Sequence, residues 1–311
     1  MYAFVNGTKI FYDVDGKQVV WDEEKKCMKE KPVCFILHGR PGGDHYIYGE
    51  LFHWLSEYMQ LIFVDYRGNG RSGRDGDASK YTIKQNVEDL EALRKSLGLD
   101  KIVVMGQSYG GIMSQAYATT YPDSVCALIL MSAVPTGETF AKASEQLNIR
   151  GTPEMKDFFV NVLMAGKIKT PEDARQYLIT FAPLYTLYGK ERYAEEVDRC
   201  ILNHELLASP ELYSFNFLPV LHKINCPVLL IGGEEDWICT IDQTYQIRER
   251  IKDCTTVVIK NSGHEIFLDQ PQQTIDVLDR FVREKILPLT HYIKAPMTLH
   301  YQSEANQRFE L

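Results

Sequence analysis

The stretch Val103–Tyr117, VVMGQSYGGIMSQAY, starts as a β-branched apolar run, breaks at Gly106 and resumes with a helical pattern. Strand, sharp turn and helix follow one another, and Ser108 stands at the turn between Gly106 and Gly110. These five residues fit G-x-S-x-G. A turn this tight crowds backbone against backbone, so the positions two before and two after the serine must be nearly free of side chain. It also pushes the hydroxyl into the open at a helix N-terminus, where the dipole favours negative charge. An idle serine on a glycine-rich turn would read the same. The decision lies with the rest of the chain.

Working outward, VCFILHG, QLIFVDY, KIVVMG, ALILMSA, CPVLLIGG and TTVVIKN have the length and β-branching of buried parallel strands. Their hydrophobicity is continuous rather than alternating, the mark of a sheet covered on both faces. Helical patterns lie between them. In TIKQNVEDLEALRKSLG, residues Ile83, Val87, Leu90, Leu93 and Leu97 recur at helical spacing, with capping residues before them and Gly98 at the end. The alternation predicts an α/β fold with a doubly wound, mostly parallel sheet. AFVNGTKIFYDV and KQVVW, punctuated by Asn-Gly and Asp-Gly, read as antiparallel edge strands.

The alternation stops near Pro135 and returns after HKINCPVLLIGG. The intervening segment is rich in Tyr, Phe, Leu and charge and is helical in period. The organisation expected is therefore a first core part (1–134), a helical cap insertion (135–219), a second core part (220–290) and an unassigned tail (291–311).

Forty-two acidic against 34 basic residues leave a formal charge of −8, with no Lys/Arg run, so a nucleic-acid surface is not expected. No stretch approaches the roughly 20 apolar residues of a membrane span, and the N-terminus lacks the apolar block of a signal peptide. The expected address is the cytoplasm. Seven scattered cysteines without a C-x-x-C read there as small buried hydrophobes, not as a disulfide frame or a zinc site.

A serine hydroxyl becomes a useful nucleophile when a base takes its proton and a carboxylate orients that base. On such a sheet the partners follow in the order Ser, acid, His. VLLIGGEEDWIC places Asp236 just beyond one strand, with Glu234 and Glu235 competing for the role, and TTVVIKNSGHEIF places His264 beyond the next. Strand ends are where open α/β sheets put their ligand sites. His38, His45, His53, His204, His222 and His291 lack that setting. Donors for a developing oxyanion are expected from the backbone N–H of Tyr109 and, in the loop FILHGRPGGD, from that of Arg40. An inward Arg40 side chain would favour an acidic substrate group; its direction is not readable. A literal G-x-G-x-x-G at Gly68, Gly70 and Gly73 is followed by the polar RDGDASKY rather than a helix, so it is no dinucleotide site. Asp65, Arg67 and Ser72 are expected to hold that loop instead.

Together HGRPGGD, DYRGNGRS, GQSYGG, GEEDWIC and NSGHEIF resemble the α/β-hydrolase superfamily, and the first two resemble proline iminopeptidase-like members of it. The resemblance implies Ser108 as nucleophile, His264 as base, Asp236 as orienting acid, the Arg40 and Tyr109 amides as oxyanion hole, and 135–219 as a cap over the site. It implies no cofactor and no metal, and a small-molecule or short-peptide substrate; the oligomeric state stays open. The chain departs from the iminopeptidase pattern at Arg40, Gln107 and Tyr109. Where those enzymes hold the substrate's amino group with cap carboxylates, it has Leu202, with Glu205 nearby as a candidate substitute. Phe158, Phe159, Phe181, Tyr185 and Tyr188 offer apolar lining, although most are expected to pack the cap. An esterase, lactonase or amidase fits as well as an aminopeptidase. A non-catalytic small-molecule receptor on the same fold is the reading from another class.

Overall fold

The computed structural model describes residues 1–74, 76–207 and 209–293. The N-terminal segment forms a hairpin, β1 (Tyr2–Val5) and β2 (Thr8–Asp15), around Asn6 and Gly7, whose φ values of 45° and 76° suit the tight turn that matches strand twist. Strands β3 (Val19–Asp22) and β4 (Cys27–Glu30) follow. The six apolar runs become β5 (Val33–Leu37), β6 (Gln60–Val64), β7 (Ile102–Gln107), β8 (Val125–Met131), β9 (Val228–Gly233) and β10 (Cys254–Ile259). A short β11 (His291–Ile293) ends the described chain.

The main sheet has the order β1-β2-β6-β5-β7-β8-β9-β10. Every pairing from β6 to β10 is parallel; the β1–β2 hairpin borders it antiparallel. Strand β3 is an edge strand too, but of a separate three-stranded sheet with β4 and β11. Residues 291–293 of the unassigned tail are thus a strand, which three residues are too few to announce in sequence; the rest of the tail lies outside the described residues.

Helices α1 (Tyr46–Phe52), α2 (Ile83–Ser96) and α3 (Tyr109–Thr120) belong to the first half. The Thr82 hydroxyl caps α2 by accepting the Gln85 N–H at 3.1 Å. Four helices lie between β8 and β9: α4 (Thr139–Arg150), α5 (Pro153–Phe158), α6 (Pro171–Tyr185) and α7 (Lys190–Arg199). Then come α8 (Ile241–Arg248), α9 (Ile266–Asp269) and α10 (Pro271–Phe281).

Strands β5, β7 and β9 are buried throughout, because alternate side chains enter two different cores. Phe35, Leu37 and Val104 pack with Val87, Leu90 and Met113 on one face. Ile36, Val103 and Met105 pack with Phe52, Leu278 and Phe281 on the other. A third core lies within α4–α7, where Phe159, Phe181 and Tyr185 pack on Trp237 from the loop after β9. The chain runs from β5 to one side and returns to β7 on the other. The loops after these two strands therefore diverge at the switch point of the sheet, where such folds leave a crevice.

Candidate active site

The turn after β7 has the geometry its glycines require. Ser108 sits at φ 55°, ψ −116°, a conformation few L-residues adopt, and directly precedes α3. A Cβ on Gly110 would lie 1.9 Å from the Leu37 carbonyl oxygen, and one on Gly106 would lie 2.2 Å from that of Gly110. Any side chain at either place would push the turn off the sheet. The serine N–H donates to the Met131 carbonyl at 2.9 Å, which ties the turn to β8.

Asp236 and His264 stand just beyond β9 and β10 and meet there. His264 Nδ1 lies 2.8 Å from Asp236 Oδ2, and both residues are buried. The second carboxylate oxygen accepts the N–H groups of Ile238 (3.0 Å) and Cys239 (2.8 Å), so the acid is held on both sides. Burial works to lower the imidazole's pKa, but the charge of Asp236 and its hydrogen bond outweigh it, and the value is raised above that of an ordinary histidine. Of the competing acids, Glu235 pairs with Arg150 at 3.3 Å on the surface, and Glu234 accepts the Asn261 N–H at 3.4 Å. Asp236 alone of the three meets the histidine.

Arg40, in the loop after β5, has φ 55°. Among the described residues, neither its N–H nor that of Tyr109 has a hydrogen-bond acceptor. The Arg40 side chain turns toward Glu196 of α7 (3.3 Å) and Glu265 (3.4 Å), with its guanidinium over the Tyr193 ring. Ser108, Tyr109, His264, Arg40 and Glu265 all line one narrow, largely apolar cavity of about 70 Å³. Its far wall comes from Phe140, Leu163, Tyr177, Leu178, Tyr185, Leu207, Tyr213 and Phe215. Of the five aromatic residues named from the sequence, Tyr185 lines the cavity, Phe159 and Phe181 pack inside the helices, Phe158 is half-buried against them and Tyr188 is exposed.

Several residues around the site carry no sequence signal of their own. Glu265 follows His264 and receives the Gln107 side-chain amide at 3.0 Å. Asp269 accepts the Gly263 N–H (2.7 Å) with one oxygen and the Thr186 hydroxyl (2.6 Å) with the other, so it joins the loop carrying His264 to the end of α6. Trp237 stacks on Phe181 and does the same for the loop carrying Asp236. Each acts across a long sequence separation.

Glu205, the candidate for holding an amino group, does not line this cavity. It borders a separate surface cleft with Tyr81, Lys169 and Glu211, because the Asn203 side chain draws it back at 3.2 Å. Leu202 is buried among the helices. The G-x-G-x-x-G loop is held as expected: Arg67 makes a two-pronged pair with Asp89, and the Ser72 hydroxyl donates to the Asp65 carbonyl. Among the described residues, two other histidines find carboxylates, His45 with Asp65 (2.7 Å) and His53 with Asp15 (2.6 Å). Neither lines the Ser108 cavity; His45 braces the glycine-rich loop.

Among the described residues one trio, Asp236, Cys239 and His264, brings potential metal ligands within 4.8 Å of one another. Its donors are already committed. The carboxylate and the imidazole hold each other, and burial, then the charge of Asp236, pushes the Cys239 thiol up and keeps it protonated. The trio is a hydrogen-bonded carboxylate–imidazole pair with a buried thiol beside it.

A model of the family described as alpha/beta hydrolase fold matches residues 32–271. The chain belongs to this family. Proline iminopeptidase PfmaB of Pestalotiopsis fici is 26% identical over 282 residues, spanning 86% of this chain and 94% of that protein. A proline iminopeptidase of Saccharolobus solfataricus is 29% identical over 263 residues, spanning 79% and 83%. Among solved structures, the enol-lactonase from Burkholderia xenovorans LB400 superposes with a TM-score of 0.69 at 19% identity, over 91% of this chain and all of that one. This α/β hydrolase is thus proline iminopeptidase-like in sequence and shares its fold with a lactonase. Among its described residues, no helix is long and apolar enough to cross a membrane.

Proposed function

We propose that this α/β hydrolase cleaves an ester or amide bond through an acyl-enzyme, with Ser108, His264 and Asp236 as its triad and no cofactor. The observation that carries this is that His264, held by buried Asp236, lines the same cavity as a serine on a strained turn. Ser108 Oγ bonds to the substrate's carbonyl carbon while its proton passes to His264. The imidazolium formed is stabilised by Asp236. The N–H groups of Arg40 and Tyr109 receive the negative oxygen, and the leaving alcohol or amine departs with the proton from His264. Water then repeats the sequence and frees the acid. The helices of 135–219 act as the cap that closes the site, and the seven thiols, free and mostly buried, suit a reducing cytoplasm.

A second reading, release of an N-terminal residue from a peptide, is favoured by the names of the relatives. The test is turnover of a short-chain p-nitrophenyl ester and of prolyl p-nitroanilide, beside labelling by a fluorophosphonate. Wild type is expected to cleave the ester and take the label, and Ser108→Ala to lose both while keeping its fold. Tight ligand binding without turnover or label would make the chain a receptor instead.

A further inference from the structure

We propose that the cavity beside Ser108 selects a neutral, apolar acyl group, and that Arg40 sets this selectivity as an internal cation standing against Glu265. The inference rests on the serine-hydrolase reading above and names the substrate class of that site.

The cavity wall carries two ions, and each is already answered. The Glu265 carboxylate lies 3.4 Å from the Arg40 guanidinium and takes the Gln107 amide on its other oxygen at 3.0 Å. Its side chain is 4% exposed and that of Arg40 11%, so water does little to screen either. Behind Arg40 stands Glu196, which also receives Arg192 at 3.3 Å. Arg192 is shared in turn with Glu50 at 3.7 Å on the surface, so the charges that cancel at the cavity wall itself are those of Arg40 and Glu265. Further polar wall groups are bonded within the protein: Tyr177 and Tyr185 share a hydrogen bond of 2.9 Å, the Tyr213 hydroxyl donates to the Leu207 carbonyl at 3.4 Å, and the Thr139 hydroxyl donates to the Ile238 carbonyl. What remains facing a substrate, apart from the reacting groups, is hydrocarbon from residues such as Ile112, Val134, Phe140 and Phe215. An acyl group bearing an ammonium or a carboxylate would lose its water there and gain no counter-charge, which is costly. A neutral one loses nothing.

The arrangement makes opposite demands on two substitutions. Removing the Arg40 charge leaves Glu265 a buried carboxylate at the cavity wall, and the site then favours a cationic acyl group. Neutralising Glu265 leaves Arg40 with one carboxylate fewer, and the site moves toward an anionic one. A merely structural role for the pair would not produce shifts of opposite sign.

The experiment uses the full chain and three methyl esters: of cyclopentanecarboxylic acid, of proline (the same ring with an ammonium) and of succinic acid as its monoester. Wild type is expected to prefer the neutral ester by about tenfold or more in kcat/KM. Arg40→Met is expected to raise the proline-to-cyclopentane ratio, and Glu265→Gln the succinate-to-cyclopentane ratio, each by about tenfold. Equal turnover of the proline and cyclopentane esters by wild type, or ratios that move the same way or not at all in the two variants, would overturn the proposal. Should Arg40→Met not fold, Glu265→Gln and the wild-type profile decide. The serine reading is tested separately by Ser108→Ala, which must cleave none of the three. Calorimetry on that variant compares cyclopentanecarboxamide with prolinamide without any chemistry. Tighter binding of the neutral amide supports the proposal, and equal, reversed or absent binding defeats it.

Discussion

Ser108, Asp236 and His264 each stand beyond the end of a parallel strand, the first two after buried strands and His264 after the half-exposed edge strand β10, whereas the wall that faces them is drawn from α4, α6 and the turns around Leu207 and Tyr213. The strand ends are positioned by backbone hydrogen bonds of the sheet, which allow little choice of register once both faces are buried. The opposite wall is positioned by side-chain packing around Phe181 and Trp237, where many sequences would serve. On the reading proposed above, the rim carries the chemistry and, through Arg40 and Glu265, the charge preference, while the helices above it supply the apolar wall. That division can be broken or sharpened by substitution on either side.

The largest effect after loss of Ser108 itself is expected at Asp236. Asp236→Asn keeps the shape of the pair but favours the wrong imidazole tautomer, and kcat should fall by about 10⁴-fold. The pH profile carries the sign. His264 must be neutral to accept the serine proton, and its pKa is raised, with Asp236 outweighing burial. Wild-type kcat/KM should therefore fall on acidification through a pKa above the usual value of about 6.5. In Asp236→Asn burial acts without the opposing charge, so the acidic limb moves to lower pH. A loss below about tenfold, or a limb that stays where it was, would show that Asp236 is not the partner of the base.

Phe181 tests the other region. It is fully buried, stacks on Trp237 with ring centres 5.3 Å apart and does not line the cavity. Phe181→Ala should cost about 3–5 kcal/mol of stability in urea unfolding. The folded fraction should keep kcat on a small ester within a few-fold. A hundredfold loss of kcat with stability intact would mean that the helices hold the catalytic groups in place, and the division between rim and roof would fail.

The same contrast explains what was legible in the sequence. Six strands and the turn at Ser108 follow from rules that act over a few residues: apolar runs, obligatory glycines, a cap at Thr82. Strand pattern alone left Asp236 beside Glu234 and Glu235, because all three follow the same strand within one loop, and only the family resemblance pointed to Asp236. Glu265 and Gln107 meet across 158 positions, and Arg40 reaches Glu196 across 156; no local pattern encodes such pairs. Among the aromatic residues of 135–219, helical spacing separated buried from exposed only in part. Tyr185 and Phe181 share α6, yet one reaches the cavity and the other the interior of the helical layer.

Glu205 should show the smallest effect, and it is the sharpest check on where specificity resides. It is half-buried, accepts the Asn203 amide at 3.2 Å and faces a cleft that does not contain Ser108. Glu205→Gln keeps an oxygen for that hydrogen bond and removes only the charge, so stability should change by no more than about 0.5 kcal/mol. Turnover of both the p-nitrophenyl ester and prolyl p-nitroanilide should stay within about twofold of wild type, a difference of that same size. If the ester is unaffected while the prolyl substrate loses tenfold or more, a carboxylate outside the cavity reaches the substrate's ammonium. The cap must then close further over the site than it does here, and the neutral selectivity assigned to Arg40 and Glu265 would have to be given up.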